Sequence, residues 1–157
     1  MASTSAGPET KVEIRRMFAA KREKVFEAWT QREKLEKWMC RFPNNGTRYT
    51  AFDARPGGTN VMEVTSQDGT LYKQRVTFRE IRPPEKLVFT WAWEKYSPTG
   101  EKINEQAETL VTVEFRPRGT FTEVFLTHES FTDAGARADH NKGWNGCFDA
   151  LEKALEE

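Results

Sequence analysis

The strongest constraint on this chain lies at its end, in the stretch from Ala136 to Leu155. His140, Trp144, Cys147, Phe148, Leu151 and Leu155 recur there in steps of three and four. That spacing puts them on one stripe of a 3.6-residue helix. Arg137, Asp139, Lys142, Asn145, Asp149, Glu152 and Lys153 fall on the remaining sides and keep them solvated. Thr132 or Asp133 can cap the start, since either side-chain oxygen can accept from a backbone N–H of the first turn. Only Glu156 and Glu157 follow the stripe, so the preceding chain has to cover it.

That preceding chain reads mostly as strands. After a loose, disordered tail over residues 1–10, Val12, Ile14 and Phe18 share one parity against Glu13 and Arg15, a first strand. Ala19–Trp29 shifts to helical spacing, with Val25, Phe26 and Trp29 on one side. Leu35, Trp38 and Met39 mark a second short helix. Phe42–Arg48, holding Pro43, Asn44, Asn45 and Gly46, reads as a loop. From Tyr49 the period becomes two. Strands are expected over Tyr49–Arg55, Thr59–Gln67 and Thr70–Ile81, separated by Pro56-Gly57-Gly58 and by the hairpin signal Asp68-Gly69. Pro83-Pro84 then forces a break, because neither residue can donate to a ladder.

Leu87, Phe89, Trp91 and Trp93 share one face of the next strand. The polar run Tyr96–Gln106, with Pro98 and Gly100, reads as a long exposed hairpin loop. Val111, Val113 and Phe115 line one face of a further strand, and Thr122, Val124, Leu126 and His128 one face of the last. The carboxylates Glu123 and Glu129 have the opposite parity and should face outward. The pattern predicts one domain over residues 11–157 in the α+β class: two short helices after the first strand, then a curved antiparallel meander wrapped around the final helix.

Composition narrows the function. Lys plus Arg equals Asp plus Glu at 24 each, so nothing in the net charge favours phosphate or anionic lipid. Nucleic acid and membrane are not expected partners, and no apolar run approaches the ~20 residues of a spanning helix. Cys40 and Cys147 lie far apart and read as thiols of a reducing compartment, and the N-terminal residues show no apolar targeting segment; the expectation is a cytoplasmic protein, a monomer or weak homodimer. Five Trp and eleven Phe are the more telling bias, because aromatic side chains build cores and also wall apolar ligand pockets.

Several stretches resemble one family. Phe18-Ala19-Ala20 with Val25-Phe26-Glu27-Ala28-Trp29-Thr30, Leu35 and Trp38 is similar to the opening of the START-like helix-grip (SRPBCC) superfamily. Asp53-Ala54-Arg55-Pro56-Gly57-Gly58, the strand Pro84–Trp91, and Thr127-His128-Glu129-Ser130-Phe131 followed by His140–Trp144 resemble motifs of its activator of heat-shock protein 90 ATPase homologue-like group. Lys21 stands where many members carry Pro, and Met39-Cys40 where a second aromatic and Gly-Pro are common. The resemblance implies a helix-grip fold, with a sheet of about six to seven strands gripping the C-terminal helix. It leaves activity open, since the family includes chaperone partners and ligand carriers.

The chain carries no G-x-G-x-x-G, Walker, G-x-S-x-G or H-E-x-x-H motif, and no cofactor is expected. The two histidines read either as satisfied core or rim residues or as groups that orient a ligand's polar end; a metal site lacks a third ligand at sensible spacing. No paired inward carboxylates are visible for acid–base work. The leading expectation is therefore a non-enzymatic domain binding a small apolar or aromatic ligand between the sheet and the last helix. Its lining would be Phe89, Trp91, Trp93, Val113, Phe115, Val124, Leu126, His128, His140, Trp144 and Phe148. The alternatives are a chaperone-interacting module and an enzyme of cyclase or hydrolase type. Strand and helix rises from the intervening turn place His128 and His140 at similar heights, so their rings are expected to meet.

Overall fold

A computed structural model of the chain describes residues 11–39, 46–105, 107–129 and 134–156. Eight strands form one antiparallel sheet. In chain order the elements are β1 (Lys11–Phe18), α1 (Arg22–Thr30), α2 (Arg32–Leu35), β2 (Gly46–Ala51), β3 (Thr59–Thr65), β4 (Leu71–Arg82), β5 (Lys86–Tyr96), β6 (Lys102–Glu105), β7 (Thr109–Arg118), β8 (Phe121–Glu129) and α3 (Ala134–Leu155). The spatial order is β1-β8-β7-β5-β4-β3-β2, with β6 paired to the end of β5. The first and last strands are thus neighbours through β1–β8, which brings the chain's start beside the strand that feeds α3.

Alternation decides which face is buried. Val111, Val113 and Phe115 of β7 and Val124, Leu126 and His128 of β8 point into the core, and Leu87, Phe89 and Trp91 of β5 join them. On the outer face Glu123 accepts from Arg118 at 2.8 Å and lies 3.7 Å from Arg15, as its parity requires. The helical stripe is buried at Trp144, Phe148, Leu151 and Leu155, while His140 and Cys147 are half-buried. Polar clasps hold α3 down. The Arg16 guanidinium reaches Asp149 Oδ1 at 2.7 Å and lies over the Phe148 ring at 5.6 Å. Lys24 of α1 donates to the carbonyl of Leu155 at 2.8 Å, meeting the negative end of the helix dipole.

Several boundaries differ from the sequence expectation. Regular helix starts at Arg22 rather than Ala19, because the chain first turns at Ala20, whose N–H donates to the Phe18 carbonyl, and Lys21 stays extended. The second helix ends at Leu35; Trp38 and Met39 follow in a tighter turn bonded back to the Leu35 carbonyl. Strand β2 ends at Ala51 instead of Arg55. Its ladder to β3 shifts between Tyr49 and Ala51, and the Asp53 N–H then goes to the Asn60 side chain at 2.8 Å. The polar run after Tyr96 is not all loop. Ser97–Gly100 turns, and β6 zips back along β5, with Lys102 bridging Glu94 at 3.3 Å and Glu105 at 3.4 Å. Its side chains are all exposed, so it carried no apolar alternation to reveal it. The tail, Cys40, most of the first loop and the capping candidates Thr132 and Asp133 lie outside the described residues. No helix among the described residues is long and apolar enough to cross a membrane.

The turn before β3 tests how tightly sequence and backbone are matched. Gly57 adopts φ +85° and its N–H donates to the Phe78 carbonyl at 2.8 Å. A Cβ on Gly58 would sit 2.2 Å from the Asp53 carbonyl oxygen, and that oxygen is backbone. Gly57→Ala should cost about 1–2 kcal/mol, the penalty of a left-handed backbone for a residue with a Cβ. Gly58→Ala should cost more, roughly 2–4 kcal/mol, because the turn itself must move. Urea unfolding of the two variants checks the order; a milder effect at Gly58 would contradict this account of the turn.

Candidate functional site

Two adjoining regions fill the space between the sheet and the helices. The first is built on β5, β7, β8 and α3. Trp144 Nε1–H donates to His128 Nδ1 at 3.0 Å. That bond leaves the proton of a neutral imidazole on Nε2, which donates to Thr109 Oγ1 at 2.6 Å. The Thr109 hydroxyl in turn donates to the Trp91 carbonyl at 3.0 Å. His140 closes against this chain with its ring 5.1 Å from that of His128, edge to face, as the arm lengths in the sequence suggested. Trp91 packs on Trp144 at 4.9 Å and on His128 at 5.5 Å.

Every polar step in that chain is satisfied, which defines its chemistry. Both ring nitrogens of His128 are engaged within the core, so His128 offers neither a base nor a ligand contact. Burial, and secondarily the neighbouring His140, pushes its pKa down to about 3. Protonation would also set a second N–H against the Trp144 donor.

The second region lies on the other side of Trp91, between β2–β5 and the two short helices. It holds a cavity of about 20 Å³, the room of about one water. Trp29, Leu35 and Met39, from the two short helices and the turn after them, form one wall and Tyr49 one flank; Asn60, Gln74, Val76, Phe78, Phe89 and Trp91 supply the sheet side. Trp29 and Trp91 belong to both regions, since each also touches Trp144, at 5.9 and 4.9 Å. Among the described residues, no charged side chain lines the cavity.

Among the residues expected to line a ligand site, Phe89 and Trp91 do border this cavity. Val113, Phe115, Val124, Leu126, Trp144 and Phe148 are buried in the packed core beside it. Trp93 is half-buried against Trp91 and Tyr72, and His128 and His140 form the satisfied cluster. The residues that sequence reasoning passed over are Asn60 and Gln74, 3 and 1% exposed. Each had a signal. Asn60 shares the inward parity of Met62 and Val64 on β3, and Gln74 that of Val76 and Phe78 on β4. A polar residue on an apolar parity marks either a satisfied core group or a site. Asn60 Oδ1 is the first kind, holding the Asp53 N–H. No group of His, Cys, Asp and Glu among the described residues is placed to hold a metal ion.

Comparison with known proteins gives the chain its relatives. The family model described as Activator of Hsp90 ATPase homolog 1-like protein matches residues 19–156. Among solved structures, protein CV1439 from Chromobacterium violaceum is similar at 20% identity, covering 94% of this chain and 99% of that one with a TM-score of 0.78. Mll3558 from Rhizobium loti matches at 23% identity, 92 and 96% coverage and a TM-score of 0.76. An uncharacterised protein from Rhizobium leguminosarum matches at 25% identity, 93% coverage of both chains and a TM-score of 0.73. These likenesses establish the helix-grip fold. No curated protein matches the chain.

The neutral, buried state of His128 has a consequence for stability. Its pKa in the folded chain lies below the ordinary value of 6.5, so its contribution is complete above that pH. As pH falls from about 6.5 toward 3, the unfolded chain takes up a proton the folded chain refuses. Stability should drop by up to about 1.4 kcal/mol per pH unit from this group. His128→Gln, which can accept and donate without titrating, should remove that component. Urea unfolding at pH 7.5, 6.0 and 5.0 checks it; identical pH slopes in the two proteins would refute the assignment.

Proposed function

The chain belongs to the Activator of Hsp90 ATPase homolog 1-like family, and from that premise we propose that it is a non-enzymatic binder of a small, largely apolar molecule. The ligand sits between the concave face of the sheet and the helices, against Trp29, Phe89 and Trp91. One observation carries this reading: a void persists beside a packed aromatic core, walled among the described residues by uncharged side chains from six elements and by Met39. Interiors of this size pack to near-crystalline density, so a gap bordered by large rings is a place where something fits.

The gap is water-sized as it stands, so a ligand enters by displacing side chains. Met39 and Leu35 are the movable wall, because an unbranched thioether and a leucine at the end of a four-residue helix change rotamer at low cost. The opposite wall, on the ladders of β3, β4 and β5, stays fixed. The chaperone-directed reading rests on the family description alone. The enzymatic reading gains nothing from His128, whose two ring nitrogens are committed to the core.

Indane, a flat bicyclic hydrocarbon, is a suitable probe. At ten times its dissociation constant it should raise the melting temperature by about 3–5 °C and shift tryptophan emission. Val76→Leu adds one methylene at the cavity wall, enough to occupy it, and should abolish the shift while leaving the fold intact. If indane neither stabilises the protein nor perturbs its fluorescence, the binding reading fails.

A further inference from the structure

The unpartnered buried polar atoms of the residues around the cavity are all donors. Among the described residues, the buried side-chain nitrogens and oxygens without a hydrogen-bond partner are Trp29 Nε1, Gln74 Nε2 and Trp91 Nε1. All three belong to residues lining the same cavity. Their residues are 3, 1 and 5% exposed, so solvent at the protein surface does not serve them. The other buried indoles are satisfied: Trp38 donates to the Ala28 carbonyl at 2.8 Å, and Trp144 to His128. Folded chains leave few buried donors without acceptors, because each forfeits its hydration for nothing. Three such donors around one void mark the place where an acceptor belongs.

We infer that the cavity receives an uncharged, flat molecule bearing a carbonyl group, whose oxygen accepts from N–H groups among those of Trp29, Gln74 and Trp91. This rests on the binding function proposed above and names its ligand class. One carbonyl oxygen has two lone pairs and can take two of the donors; a second acceptor on the same ligand, such as a lactone or quinone oxygen, can take the third.

The ligand is uncharged because, among the described residues, no Lys, Arg or His lines the cavity to offset a buried anion. It is an acceptor because the unpartnered buried atoms are all donors, two indole N–H groups and the Gln74 amide nitrogen. The side-chain oxygen of Asn60, moreover, already accepts from Asp53 N–H. Water answers the need poorly: it accepts twice but brings two protons that need acceptors of their own. The apolar body of the ligand lies against Val76, Phe78 and Phe89, and Met39 yields to admit it.

A shape-matched pair tests the assignment: 1-indanone, which carries the carbonyl, and indane, which lacks it. Calorimetric titration should show indanone binding about tenfold more tightly or better, the worth of at least one well-made hydrogen bond to a buried donor. In ¹H–¹⁵N spectra of the uniformly labelled protein, the indole N–H signals of Trp29 and Trp91 should move downfield with indanone. Those of Trp38 and Trp144, already bonded, should hold. Gln74→Leu should narrow the preference for indanone severalfold while indane binding persists. Equal affinities, with the Trp29 and Trp91 signals alike in both complexes, would overturn the ligand class and leave the binding function standing. Failure of both probes to bind would overturn the two together. Indanone-soaked crystals with waters alone at the three nitrogens would also refute the inference.

Discussion

The hydrogen bond from Trp144 to His128 ties the last helix to the last strand, and much of the interior is arranged around it. It sets the tautomer of His128, which then donates to Thr109, which donates to the backbone of β5 at Trp91. Helix α3 and strands β8, β7 and β5 are thereby joined through one buried chain of polar groups with no loose end. Such a chain specifies how the helix lies on the sheet, because sliding either element would strand a donor in the dry core. The apolar stripe alone supplies affinity between helix and sheet; these bonds supply position.

Trp91 is where that ordered region meets an unfinished one. Its backbone carbonyl and one side of its ring complete the histidine cluster, while its own indole N–H has no partner. Trp29 stands likewise against Trp144 on one side and the cavity on the other. The contrast between the two neighbouring regions is the basis of the functional reading. Where every polar group is satisfied, the core is architecture. Where three unpartnered donors belong to residues around one gap, the core has the features on which the proposed binding role rests.

Much of this was legible in the sequence because periodicity reports burial directly. The stripe at Trp144, Phe148, Leu151 and Leu155 and the parities of β5, β7 and β8 needed only counting, and arm lengths alone brought His128 and His140 together. What escaped followed from side chains doing the work of backbone, or from strands without an apolar face. Asn60 ends β2 early by taking the Asp53 N–H, and β6 is held by ladder bonds and Lys102 rather than by burial. The candidate site was legible only in its walls. Phe89 and Trp91 announced themselves as aromatic, whereas Gln74 was one polar letter in an apolar alternation. Whether such a group is satisfied depends on neighbours from other strands, and no local pattern encodes that.

The central claim is that the space between Trp29, Gln74 and Trp91 is a receptive cavity and that the histidine cluster is closed. Crystals of the protein held under xenon pressure would test it most directly, since xenon enters apolar voids without needing a hydrogen bond. A single core xenon position is expected in contact with Val76, Phe89 and Trp91, with Met39 displaced to admit it. Xenon lodged between His128 and Trp144, or a core that takes up none at all, would contradict it.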